Sequence, residues 1–130
     1  MKTLIKATFL GAALVWSVGA HAAGDATNGE KIFKQQCKLC HAVGATAKPG
    51  VGPVQNGLIG ATAGARPGFT YSAAMKDAGA KGLVWTEENL DKYLTDPKAM
   101  VPGNKMAFPG VKKDTDRADV IAFLKTQAGQ

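Results

Sequence analysis

Three rhythms of apolar and polar residues divide the chain. From Ala7 to Ala20 the residues run without an acid behind Lys2 and Lys6, and the run closes on the small-residue stretch Ala20-His21-Ala22-Ala23. That order of charge, apolar core and small residues predicts a secretory signal peptide over 1–22, cleaved after Ala22 or Ala23. A membrane-spanning helix wants roughly 20 apolar residues. The run is too short to serve as an anchor, and Gly24 and Asp25 follow it in place of a charged far flank.

Beyond it, in 23–130, helical periods alternate with stretches that have none. Asp25 can cap a helix reaching Ala42, in which Ile32, Phe33, Gln36, Cys37 and Cys40 recur at helical spacing. Thr70 to Gly79 predicts a short helix with a threonine cap and a glycine stop. Thr86 caps a better one, with Glu87 and Glu88 at its positive end, Leu90, Tyr93 and Leu94 on one face, and Pro97 as its end. A final helix starts near Asp114 or Thr115, with Val120, Phe123 and Leu124 as its packing stripe. Between them, 43–67 and 100–113 are rich in Gly, Pro and Ala and read as loops. No internal repeat and no convincing strand interrupts this all-α pattern. A loop of about 25 residues is unusual in a compact domain unless it wraps something.

Composition sharpens that point. The mature part is one domain on size grounds, short of large apolar residues and rich in Gly and Ala, so a bulky apolar cofactor would complete its core. The formal charge of +6 falls to +4 once Lys2 and Lys6 leave with the signal. This mild excess has no Arg clusters or interleaved aromatics, which argues against nucleic acid and for a positive docking face toward an acidic protein partner.

The chemistry sits in Cys37-Lys38-Leu39-Cys40-His41, a C-x-x-C-H string. Two thiols separated by two residues can add to the two vinyl groups of one porphyrin, and the adjacent histidine then lies under the iron, so the string predicts covalent attachment of one haem c. A thioredoxin-like pair would come with a βαβ pattern. A structural zinc needs four ligands where the mature chain offers three soft ones, and a Cys37–Cys40 disulfide would close too short a loop to stabilise much. His21 leaves with the signal, so His41 is the one histidine of the mature chain and bis-histidine ligation is excluded. The sixth position falls to Met, Lys, an exogenous molecule or nothing. Of Met75, Met100 and Met106, the last is the best candidate, since it lies in a loop stiffened by flanking Pro-Gly pairs. Met75 and Met100 read as packing residues.

Gly29, Phe33, the Cys37 to His41 string, Gly52-Pro53, Pro67-Gly68-Phe69-Thr70-Tyr71, Trp85-Thr86-Glu87-Glu88, Tyr93-Leu94, Asp96-Pro97-Lys98, Pro102-Gly103 and Lys105-Met106-Ala107-Phe108-Pro109-Gly110 resemble class I c-type cytochromes. The match is to the branch of mitochondrial cytochrome c and its soluble bacterial relatives, and it covers essentially the whole mature chain. The resemblance implies a small fold of about four to five helices with long loops wrapped around one covalently bound haem. It implies His41 and Met106 as axial ligands, Pro53 as acceptor of the His41 ring N–H, Tyr71 and Trp85 as propionate donors, and Tyr93 beside the methionine sulfur. Gly29 and Phe33 resemble the contact between the first and last helices. Ala61 stands where many relatives carry an arginine, a charge that Arg66 could replace; Asn104 replaces the usual Thr, and Val54-Gln55 the usual Asn-Leu. Ala78 to Lys81 reads as a small insertion.

The expected function is that of a periplasmic, monomeric electron carrier, not an enzyme, with no membrane span in the mature protein. It would shuttle one electron by outer-sphere transfer between respiratory or photosynthetic redox proteins. Lys34, Lys48, Lys98, Lys105, Lys112 and Lys113 would meet acidic docking surfaces. A peroxidase or gas sensor would need an open sixth position, and an immobile haem subunit a large apolar face.

Overall fold

The computed structural model describes residues 23–130, and the expected signal peptide at 1–22 lies outside them. The described residues form five helices in chain order: α1 Ala26–Gln36, α2 Ala73–Ala80, α3 Glu87–Thr95, α4 Pro97–Met100 and α5 Asp114–Thr126. The only β pairing among them is one isolated antiparallel bridge, Thr62 to Val84. No described helix is long and apolar enough to cross a membrane.

The two ends of the described chain make its main helix pairing, α1 against α5. Gly29 allows it. A Cβ built there would stand 1.9 Å from the Asp119 carbonyl oxygen, so only a residue without a side chain lets the two backbones approach this closely. One turn on, the Phe33 and Phe123 rings meet at 5.4 Å between centroids, tilted by 51°. Asp119 fastens the start of α1, accepting from the Asp25 backbone N–H and from Asn28 Nδ2, both at 2.7 Å. Asp25 in turn caps α1 through the N–H groups of Thr27 and Asn28.

The core around this pair takes Ile32, Phe33, Val120, Ile121, Phe123 and Leu124 from the two helices, and Leu90, Tyr93 and Leu94 from α3. Met75 is buried in it and Met100 packs against it, the roles expected of both. Arg117 is the unexpected interior residue, 7% exposed. Its Nε donates to Asp91, Nη1 to the carbonyls of Val111 and Lys112, and Nη2 to Asp114. It ties the start of α5 to α3 and to the loop before it.

The structure departs from the sequence expectation at the end of α1, at the start of α2 and in the added helix α4. The first helix stops at Gln36, because Lys38 N–H reaches back to the Phe33 carbonyl and the chain then tightens into three-residue turns, Cys40 N–H donating to Cys37. The C-x-x-C-H string therefore follows α1 and does not lie on its last turns. Ser72, not Thr70, caps α2, its Oγ accepting from the Met75 N–H. Pro97 ends α3 as expected but also opens α4, with Asp96 as the cap and proline at a position whose N–H would go unused.

Candidate haem-attachment site

The turn after α1 places Cys37, Cys40 and His41 together while Leu39 faces solvent at 93% exposure. The cysteines are not bonded to each other. Burial, then the charge of Cys40, pushes the Cys37 thiol up to about 11. Two backbone bonds hold the turn: His41 N–H to Cys37, and Gly52 N–H to Cys40 at 2.8 Å. The second folds the Gly52-Pro53 segment over the imidazole. At Gly52 a Cβ would fall 2.4 Å from His41 Cε1, so the glycine lets the backbone lie on the ring.

His41 Nδ1 stands 2.8 Å from the Pro53 carbonyl oxygen. That oxygen can only accept, so Nδ1 carries the hydrogen. Burial holds His41 below its ordinary pKa, with the Pro53 carbonyl opposing the shift. The result is a neutral imidazole with its lone pair on Nε2, the form that ligates a metal. Two thiols on one turn with a neutral imidazole beside them are the groups that covalent attachment of a haem calls on, so the residues present fit the group.

A second cluster gathers the remaining expected residues. The Tyr93 hydroxyl donates to Met106 Sδ at 4.0 Å. Burial pushes the Tyr93 phenol up to about 12, so it stays a donor. Trp85 packs on Tyr93 with centroids 4.8 Å apart. Tyr71 stacks edge-on against Phe69 at 5.0 Å. Burial raises its pKa, partly countered by the Arg66 guanidinium. Cys37, Tyr71 and Met106 all pack against the one core that contains Trp85 and Tyr93. Arg66 Nη2 donates to the Asn56 carbonyl, which ties it to the 43–67 loop.

Two residues noted in the sequence only as departures prove to hold the site. Asn104 is buried. Its Oδ1 accepts the Met106 N–H at 2.9 Å, and its Nδ2 donates to the carbonyls of Pro97 and Val101. Gln55 places its carboxamide 2.7 Å from His41 Nδ1. The signal at each is a carboxamide, with two donors and an acceptor, where the resembling family has a leucine (Gln55) or a threonine (Asn104).

Of the six lysines expected at the docking rim, Lys34 pairs with Glu30 and Lys113 with Asp116. Lys112 Nζ donates to the Thr95 carbonyl. Lys48, Lys98 and Lys105 form no ion pair among the described residues.

Known proteins resemble this chain over most of its length. The profile of the family described as cytochrome c matches residues 26–128. A cytochrome c2 from Rhodomicrobium vannielii is 64% identical over 126 residues, covering 97% of this chain and 98% of its own. A cytochrome c2 from Blastochloris viridis is 47% identical over 125 residues, covering 96% and 93%. Among solved structures, cytochrome c2 from Rhodospirillum centenum superposes with a TM-score of 0.77 at 40% identity over 81% of this chain and 99% of its own. Cytochrome cH from Methylobacterium extorquens superposes with a TM-score of 0.72 at 45% identity over 79% and 99%. With its attachment string in place and the match running from the first helix to the last, the chain belongs to the cytochrome c family, carries one covalently attached haem c and is an electron carrier rather than an enzyme.

Proposed function

We propose that the mature protein is a soluble periplasmic monomer that shuttles one electron between respiratory or photosynthetic partners, with His41 Nε2 and Met106 Sδ as the two axial ligands of its iron. The observation that carries this reading is the hydrogen bond from His41 Nδ1 to Pro53, which leaves the lone pair on the opposite ring nitrogen. The haem supplies a one-electron Fe(III)/Fe(II) couple.

The chain's own residues set the conditions for that couple. Cys37 and Cys40 fix the group by two thioethers, and Gly52 and Pro53 hold the His41 ring in one orientation. Asn104 anchors the Met106 backbone and Tyr93 donates to its sulfur, so a weak thioether is held in position at little entropic cost. Trp85, Tyr93 and the core behind them exclude water. Trp85 and Tyr71 are the proposed propionate donors. With His41 and Met106 both held by this chain, the two would occupy the iron's open positions, which would suit outer-sphere electron transfer and leave no place for a substrate.

Lys48, Lys98 and Lys105, with the rest of the basic rim, are the proposed contacts for acidic partners. Such an association is weak and salt-sensitive, because exposed charges are screened over about 8 Å at physiological ionic strength. The 1–22 segment is the proposed export signal.

Absorption spectra of the haem-loaded mature protein test the reading. A weak long-wavelength band in the Fe(III) form, lost in Met106→Ala, is expected from methionine ligation. A high-spin spectrum that readily binds carbon monoxide would overturn it.

A further inference from the structure

His41 Nδ1 has two neighbours at hydrogen-bond distance, the Pro53 carbonyl oxygen at 2.8 Å and the Gln55 carboxamide nitrogen at 2.7 Å. They make opposite demands. The carbonyl needs a hydrogen on Nδ1; a carboxamide N–H needs a lone pair there, and one neutral nitrogen offers one or the other. The other end of the same side chain adds a second observation: Gln55 Oε1 is buried and has no partner. A half-turn of the carboxamide exchanges its two ends. It puts the acceptor oxygen against Nδ1–H and relieves both the donor–donor clash and the orphaned oxygen.

We infer that Gln55 is a positioning residue for the electron-transfer centre: its Oε1 shares the His41 Nδ1–H with the Pro53 carbonyl, in a three-centre hydrogen bond on the iron's proximal ligand. The inference rests on the proposed ligation through Nε2, since that is what keeps the hydrogen on Nδ1. A second acceptor draws the proton further from the ring and makes Nε2 the stronger donor. A more basic imidazole favours Fe(III) over Fe(II), so Gln55 lowers the reduction potential below that of the same site with an apolar residue. It also fixes the ring plane from a second direction, the first being Gly52 against its face.

The test uses the haem-loaded protein, its Gln55→Leu variant and its Gln55→Glu variant. Leucine is the residue usual at this position in the resembling family, so the first variant keeps a side chain that this fold accepts. Two quantities are read: the reduction equilibrium against a mediator of fixed potential, and the proton resonance of His41 Nδ1–H in the diamagnetic reduced protein. Gln55→Leu is expected to shift the equilibrium roughly threefold toward Fe(II), where tenfold corresponds to about 59 mV for one electron. It should also move the Nδ1–H resonance upfield. Gln55→Glu is expected to shift the equilibrium the other way. An unchanged Nδ1–H resonance in Gln55→Leu overturns the inference even if the potential rises, since polarity alone would then explain the rise; an unchanged or lowered potential overturns it too. A wild-type spectrum without His41 bound to iron would bring down the ligation reading and this inference together, before any variant is compared.

Discussion

Asn104 Oδ1 accepts the backbone N–H of Met106 at 2.9 Å, while the same carboxamide donates to Pro97 at 2.9 Å and to Val101 at 2.8 Å. One buried side chain therefore joins the methionine loop to α4. Asn104→Ala leaves the Met106 N–H without its acceptor, which costs about 1–3 kcal/mol when such a group stays buried. The expected result is a lower denaturation midpoint, together with a fraction of protein that binds carbon monoxide, because the loop releases the sulfur. A variant that loses stability but gains no carbon monoxide binding would confine Asn104 to a role in folding.

Gly29 sets two effects against each other. In a free helix, Gly→Ala stabilises by about 1 kcal/mol. Here the new methyl group would meet the Asp119 carbonyl at 1.9 Å, and the neighbour is backbone, which cannot swing aside. Overpacking of this kind costs about 1–3 kcal/mol or more. Thermal unfolding of Gly29→Ala should show a lower Tm; an unchanged or higher one would mean that α1 and α5 can separate at no cost.

Arg117 makes four side-chain hydrogen bonds from an interior position. Its two acidic partners, Asp91 and Asp114, are 45% and 91% exposed, so their carboxylates rehydrate when the guanidinium is removed. The cost of Arg117→Met then comes chiefly from the Val111 and Lys112 carbonyls and is expected to be about 2–3 kcal/mol by denaturant titration. Arg117→Lys should recover only part of this, because an ammonium lacks the planar fork that serves both carbonyls and both acids.

Asp119 carries a pH dependence. Hydrogen bonds from Asn28 and then from the Asp25 backbone hold its carboxyl below the ordinary value of 3.8. The folded protein therefore binds the proton less readily than the unfolded chain, and the stability this contributes is present above 3.8 and lost as pH falls through the depressed folded value. Asp119→Asn is expected to be less stable at neutral pH and to lose stability less steeply in acid. Parallel acid limbs for the two proteins would assign the acid sensitivity to other carboxylates.

The legible parts of this molecule are those written in a few adjacent residues. The C-x-x-C-H string is local, as are the Thr86 cap, whose Oγ1 accepts from the Asn89 N–H, and the start of α5 at Asp114. Gly29 and Phe33 were legible through resemblance, and both meet α5 as expected. What periodicity could not reveal is where a helix yields to a tighter turn: Cys37 and Cys40 fit the helical spacing, yet the chain leaves α1 before them. Asp96-Pro97 stops one helix and starts another with the same two residues, and a proline after a helical period signals only the stop. Gln55 and Arg117 gain their partners 14 and 26 residues away, at His41 and Asp91. Such hydrogen bonds depend on how loops close over one another, which no short window of sequence contains.

The pairing of α1 with α5 imposes an order of events on the growing chain. The helix that leads into the attachment turn is the first of the described helices to be made, and the surface it must dock against belongs to the last. Until α5 is complete, α1 has no counterpart to latch onto, and a helix of 11 residues is marginal by itself in water. The fold thus closes as a clasp whose two halves lie at opposite ends of the described sequence. Everything between them can be gathered in before the clasp shuts, and trimming the C-terminal helix would unfasten the attachment turn some 80 residues away without touching it.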